Sequence, residues 1–424
     1  MPPIDDHPQR YKLANELHAR PFPAMASPCT AAYIAIKQSG PSATRDRSLD
    51  LAHLTNLLDR HGVAHPQPGA THYYGQIGKH WLKWEQHTEF VTYTVFSEGV
   101  RKHAFDAAEF EVFPSDWLAA SPGQRVTSVL LRIENESDQD QITTNLRDWF
   151  VPESLAVSSM LDGAAVSAGD FRIDSNGHIR FAVFAASHTG ARRVGRIVQR
   201  LCEVETYKAM SMLGFGHAQT LGPKLNALDR QLTDLMGTMS HETAVPEETL
   251  HALLSISSEL ESLSAQGSFR FGATGAYEAI VGQRIEALRE ERFMGRQSFG
   301  EFMMRRYEPA MRTVQSAQRR LDAMSQRSIR ASNLLRTRVD VDRTAQNQAL
   351  LESLDGRADQ QLKLQRTVEG LSVVAVSYYA VSLVSYALYP LTEVTGLSKG
   401  TITAFVTVPV IALVWVVLRR IQRR

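Results

Sequence analysis

Gly370–Thr392 reads GLSVVAVSYYAVSLVSYALYPLT, and Gly400–Leu418 reads GTITAFVTVPVIALVWVVL; neither run contains a charged residue. At about 1.5 Å of rise per helical residue, runs of this length reach roughly 28–35 Å, which matches a hydrocarbon core about 30 Å thick. Only Glu393 to Lys399 lies between them, so the two form an antiparallel helical hairpin. Pro409 is tolerable inside a membrane helix and predicts a kink there. The competing reading is a buried hairpin of a soluble protein, but charge-free runs this long seldom belong to one.

Basic residues at the ends set the orientation. Arg357, Lys363 and Arg366 precede the first run, and Arg419, Arg420, Arg423 and Arg424 follow the second. The connecting loop offers only Lys399. This asymmetry places both termini in the cytosol and the loop outside. Tyr389 and Trp415 suit the two interfaces.

Upstream of the first run the pattern is helical over a long distance. Tyr307, Met311, Val314, Leu321, Met324, Ala331 and Leu335 recur at spacings near three and four. Leu350, Leu354, Ala358 and Leu362 resume the series. The reading is a stalk with coiled-coil-like packing that runs directly into the first membrane helix. About 80 helical residues would span roughly 120 Å and require partner helices, from the same chain or other subunits.

Two further helices are expected before the stalk. One starts near Ala191, with Val194, Ile197, Val198, Leu201 and Val204 as its apolar stripe, and ends near Gly237. The next starts at Pro246, where Glu247 and Glu248 favour a helix N-terminus, and breaks between Gly267 and Gly275. Earlier still, residues 31–187 read as a mixed α/β domain. Ala31–Lys37 looks like a buried strand, Ser48–Arg60 like an amphipathic helix, residues 71–97 like two strands and Val126–Glu134 like another. Asn176-Gly177 predicts a hairpin turn between Phe171–Ile173 and Ile179–Val183. Residues 1–30 are proline-rich and read as an arm with a short helix at Lys12–His18. The resulting class is α+β: an arm (1–30), an α/β domain (31–187), a helical and stalk region (188–370), and a two-helix membrane segment with a basic tail (371–424).

The composition excludes several function classes. Lys and Arg number 46 against 45 Asp and Glu, so net charge gives no reason to invoke nucleic acid. Cys29 and Cys202 fit no zinc or redox pattern. There is no phosphate-binding glycine loop, no paired catalytic carboxylates and no nucleophile–base motif. The reading is therefore not an enzyme, with no cofactor and no metal.

Two stretches carry a family resemblance: Leu13–Pro23, LANELHARPFP, and Leu350–Val384, LLESLDGRADQQLKLQRTVEGLSVVAVSYYAVSLV. They resemble a bacterial family of uncharacterised membrane-anchored proteins, a domain of unknown function, over nearly the whole chain. That family implies no activity. The order of elements also resembles the CorA-type divalent-cation transporters, and the resemblance implies pentamers whose first membrane helix lines a pore. The CorA-type Gly-Met-Asn motif is absent; its place reads Tyr386-Ala387-Leu388-Tyr389-Pro390. This departure puts magnesium transport in doubt.

The candidate functional residues follow from these readings. Tyr378, Ser382, Ser385 and Tyr389 fall within about 60° of one another on the first membrane helix. Their hydroxyls would line a water-filled path, or else serve close packing between helices. Neither membrane run carries an ionisable carboxylate, Lys or Arg, which argues against a proton-coupled carrier. Glu393 in the loop would form an outer ring that attracts cations, or is simply a solvated loop residue. Ten arginines between Arg305 and Arg343 face four acids over the same stretch; they pair with neighbours, bind lipid heads or repel cations. Asn15, Glu16, His18 and Arg20 in the arm read as a docking surface or a metal site, and the irregularity at Pro21 favours docking. His72, His80, His87 and His103 read as scattered sheet histidines. His241, Glu242, Glu247, Glu248 and His251 read as helix-start electrostatics, with metal binding as the lesser alternative. The functional expectation is an oligomeric channel or transporter-like protein for cationic solutes. The alternative is a membrane-anchored binding or scaffold protein.

Overall fold

A computed structural model describes residues 4–16, 22–40, 44–239, 246–390 and 398–421. The chain divides into two units. One comprises Met1–His241 with His251–Arg330, and the other Glu242–Leu250 with Ala331–Arg424.

The first unit is built on one nine-stranded sheet. Its strands are β1 (Cys29–Lys37), β2 (His72–Ile77), β3 (His80–Gln86), β4 (Val91–Glu98), β5 (Gln124–Asn135), β6 (Ala156–Met160), β7 (Ala165–Gly169), β8 (Ile179–Ala185) and β9 (Glu291–Arg292). They lie in the order β2-β3-β4-β1-β5-β8-β7-β6-β9. Every pairing is antiparallel except β5 with β8. A parallel pair needs a long crossover, and here it contains β6 and β7.

Alternation along β1 assigns the two faces of the sheet. Ala32, Ile34 and Ile36 point into one core, which they share with Leu54, Leu57 and Leu58 of α2 (Arg47–Arg60) and Ile142 and Leu146 of α4 (Gln139–Trp149). Trp117 of α3 (Ser115–Ala119) fills the middle of this core, stacked on His53 with ring centroids 3.9 Å apart. Ala31, Tyr33 and Ala35 point the other way, against α5 (Ala191–Thr238). That second core continues through α6 (Pro246–Ala287), α7 (Phe299–Arg306) and the start of α8 (Glu308–Ala387).

The long helices form where the periodicity placed them, with one correction. Gly267–Gly275 is not a break; α6 runs through it. Each glycine costs a helix about 1 kcal/mol, but here packing outweighs propensity. Phe271 and Thr274 are buried, and a Cβ on Gly214 of α5 would lie 2.1 Å from the Thr274 hydroxyl oxygen. Small residues at this crossing let α5 and α6 approach closely.

A second correction concerns the hairpin at Asn176-Gly177. The turn exists, with Gly177 at φ 87° and its N–H donating to the Asp174 carbonyl. Phe171–Ile173, however, is not a strand. Phe171 sits at φ 52°, outside the β region, and stacks on Phe302 with centroids 4.4 Å apart. The antiparallel partner of β8 is β7, a run of small residues with little hydrophobic signal. Residues 71–97 hold three strands rather than two, because Gly78 makes a tight turn between β2 and β3. The short arm helix, α1, spans Arg10–Glu16.

The second unit holds the rest of α8 and α9 (Lys399–Ile421). The C-terminal part of α8 and the whole of α9 are long and apolar enough to cross a membrane. Lys399, which opens α9, lies 5.8 Å from the Tyr386 ring centre and 5.7 Å from that of Tyr389, both near the end of α8. Cation–π attraction therefore ties the two helices at their shared end. At the other end of α9, Arg419 lies 4.7 Å from the Trp415 ring centre.

Candidate functional site

The hydroxyl stripe on α8 divides into open and enclosed members. Tyr378 and Tyr389 are 70% and 56% exposed. Ser382 and Ser385 are half-buried. The Ser385 Oγ is shielded from solvent and has no hydrogen-bond partner among the described residues, and the same holds for Ser377 one turn before Val381. The stripe thus has two aromatic hydroxyls on an open face and serines at the edge of a covered one. Glu393 lies outside the described residues, as do His18, Arg20, His241 and Glu242. Asn15 and Glu16 end α1, and their side chains are not described.

The arginines at the head of α8 take partners from other helices. Arg320 and Arg327 both reach Asp229 of α5, at 2.9 and 3.4 Å. Arg343 reaches Glu247 at 2.9 Å, and Arg312 pairs with Glu308 within α8 at 3.2 Å. Pairing therefore accounts for part of the cationic stretch. In the core beside them, Tyr307 and Ser211 of α5 share a hydrogen bond of 2.8 Å. Burial pushes the Tyr307 hydroxyl up to about 12.

A polar seam beneath α5 was not foreseen from sequence. Lys83 and Glu85 of β3 and Thr92 and Thr94 of β4 point at α5 rather than at water. Lys83 donates to Gln199 at 2.7 Å and lies 3.2 Å from Glu85. Gln199 in turn donates to Glu203 at 2.7 Å, and Arg284 of α6 pairs with the same carboxylate. Tyr33 and Thr206 close the seam with a 2.5 Å hydrogen bond. The space left is about 20 Å³, room for one water. The seam is a network that fastens sheet to α5 to α6, too narrow for an organic substrate. Its only sequence signal was charge at alternate positions of a strand, which reads equally as a solvent face.

Burial also decides the cysteines. It pushes the Cys29 thiol up to about 12 and raises Cys202 further still. Both are buried thiols rather than nucleophiles. The sheet histidines are dispersed: His80 bonds Ser97 at 2.6 Å, and His87 stacks on Phe90. Among the described residues no three His, Cys, Asp or Glu side chains are grouped to hold a metal ion.

Residues 5–424 match the family described as "Protein of unknown function (DUF3422)". The chain belongs to this family. No curated protein and no solved structure matches the DUF3422 chain. The comparisons do not show the resemblance to CorA-type transporters that the order of elements in the sequence suggests.

Proposed function

We propose that this DUF3422 protein is an integral inner-membrane homo-oligomer that acts as a channel or transporter-like protein for cationic solutes. The observation that carries the reading is the continuity of α8. It is one 80-residue helix that belongs to both units, and its C-terminal part is apolar enough to cross a membrane. A helix fixed at its head by Asp229 and Ser211 would act as a lever on its membrane end. In a ring of copies, five by analogy with the CorA order of elements, Tyr378, Ser382, Ser385 and Tyr389 would face the axis. Glu393 would stand at the outer mouth, with both termini in the cytoplasm. The chemistry asked of the protein is hydroxyl coordination and charge attraction, with no catalytic step.

The enclosed hydroxyls of Ser377 and Ser385 support a second reading, in which the hairpin is an anchor and the sheet unit binds a cytosolic partner. Ion flux into liposomes containing the full-length protein separates the two. In the channel reading, Ser382→Leu abolishes flux and leaves assembly intact. Normal flux in that variant contradicts the pore assignment.

A further inference from the structure

We infer that α8 packs against the α8 helices of further copies of this chain along one seam: Leu350, Leu354, Leu364, Val368, Leu371 and Tyr378. This rests on the oligomeric reading above and names the surface that makes the oligomer.

Residues 340–368 are all exposed within the single chain. Most helix stability in proteins comes from packing an apolar face, so a bare stretch of this length calls for a cover. Six large aliphatic residues lie between Arg343 and Glu369: Leu350, Leu351, Leu354, Leu362, Leu364 and Val368. A four-residue series such as Leu350, Leu354, Ala358, Leu362 drifts about 40° per step and makes no straight face. Alternating steps of four and three from Leu350 do make one. They pass through Leu354, Arg357, Gln361, Leu364, Val368, Leu371 and Ala375, and then Tyr378, Ser382, Ser385 and Tyr389. Four of the six aliphatic residues fall on this line, and the hydroxyl stripe in the membrane is its continuation. Leu350, Leu354, Leu364, Val368, Leu371 and Tyr378 are each more than half exposed.

The period also names the occupant. A repeat of 3.5 residues is the signature of helices that supercoil around like helices, the drift of about 20° per heptad being taken up by left-handed coiling. Copies anchored in one membrane by the same hairpin enter it from the same side, so their α8 helices run parallel. Parallel copies related by an axis normal to the membrane bring each seam residue level with itself. Leu354 and Leu364 then meet their counterparts, and Gln361 meets a Gln361 amide with which it can exchange hydrogen bonds. A buried polar position of that kind fixes register at some cost in stability. Arg357 lays its stem along the seam and sends its guanidinium to water.

Single cysteines test the seam in membranes that contain the full-length protein. The two native thiols are buried and do not interfere. Leu354→Cys and Leu364→Cys lie on the seam; Leu362→Cys and Arg366→Cys lie on the opposite side of the same helix. Under copper-phenanthroline oxidation the seam positions cross-link several-fold more than the opposite pair, because disulfide geometry demands close Cβ atoms. Preferential cross-linking at 362 and 366 in a protein of oligomeric mass overturns the seam and leaves the oligomer standing. Absence of cross-links at all four positions in a monomeric protein overturns both.

Discussion

Tyr307 at the head of α8 and Ser211 in the middle of α5 share a buried hydrogen bond of 2.8 Å, across 96 residues of sequence. Tyr307 also separates α7 from α8, so the bond holds the joint at which the long helix begins. Ser211 gives its single hydroxyl proton to the Lys208 carbonyl, so in the shared bond Tyr307 donates and the serine oxygen accepts. Tyr307→Phe keeps the ring and loses the donor, and the expected cost is about 1 kcal/mol. Tyr307→Ala opens a cavity and costs about 3–5 kcal/mol. Thermal unfolding of the solubilised protein ranks the two, and equal losses would contradict the packing role given to the ring.

The arm is rooted on α5 through a backbone contact. A Cβ on Gly195 would lie 1.8 Å from the Pro23 carbonyl oxygen, and Met25 donates its N–H to the Ala191 carbonyl at 3.0 Å. Phe22 lies beneath Arg196 and Arg200. Gly195→Ala must therefore lift the chain at residues 22–26. Limited proteolysis should show faster cleavage there, while the pattern elsewhere stays that of the parent. An unchanged pattern would show that the contact is not needed.

Glu109 carries a pH dependence. Burial is the largest influence on it and raises its carboxyl from 4.5 to about 7, against the opposing pull of Arg132 and Arg101, with Asp106 adding to the rise. Both of its oxygens are shielded and, among the described residues, without hydrogen-bond partners. A raised carboxyl binds its proton more tightly folded than unfolded. Stability from this group is therefore present in the neutral form and falls as pH rises from about 4.5 to about 7. Glu109→Gln should remove that fall and raise Tm at pH 8 by about 2–4 °C. A Tm difference that does not change between pH 5 and pH 8 would refute the assignment.

Glu89 joins the β3–β4 connection to α6. It accepts from Arg270 and from the Tyr277 hydroxyl at 2.8 Å. The carboxylate side chain is 1% exposed and the guanidinium 17%. Arg270→Ala strands a buried charge and should cost about 3–5 kcal/mol, more than Glu89→Ala, whose orphaned arginine can reach water. The double variant should lose less than the sum of the two. Strict additivity in a double-mutant cycle would contradict the pairing.

The two apolar C-terminal helices and the long helices before them were legible because their signals are local: charge-free length and a repeat of three and four. Ala31–Lys37 and Val126–Glu134 were legible as strands for the same reason. What stayed hidden depends on distance in sequence. β6 and β7 consist largely of Ala, Ser and Val and show no alternation, and β9 is two charged residues recruited from beyond α6. Lys83 and Glu85 alternate with Leu82 and Trp84, yet their face is covered by α5, a helix that begins more than a hundred residues later. The glycines at 267–275 looked like punctuation because their use, close approach of two helices, exists only once both are packed. The hydroxyl stripe was read from sequence, and its membership of a seam reaching back to Leu350 emerged only with the exposure of α8.

A chain that works as a ring of copies in the membrane, as proposed above, must be released from it as a multimer. The most direct measurement is the mass of the full-length protein released from membranes in nanodiscs, by native mass spectrometry. The expected result is a multimer. A monomer or a dimer, with two candidate membrane helices per chain among the described residues, would have too few helices to enclose a path and would favour an anchored scaffold instead.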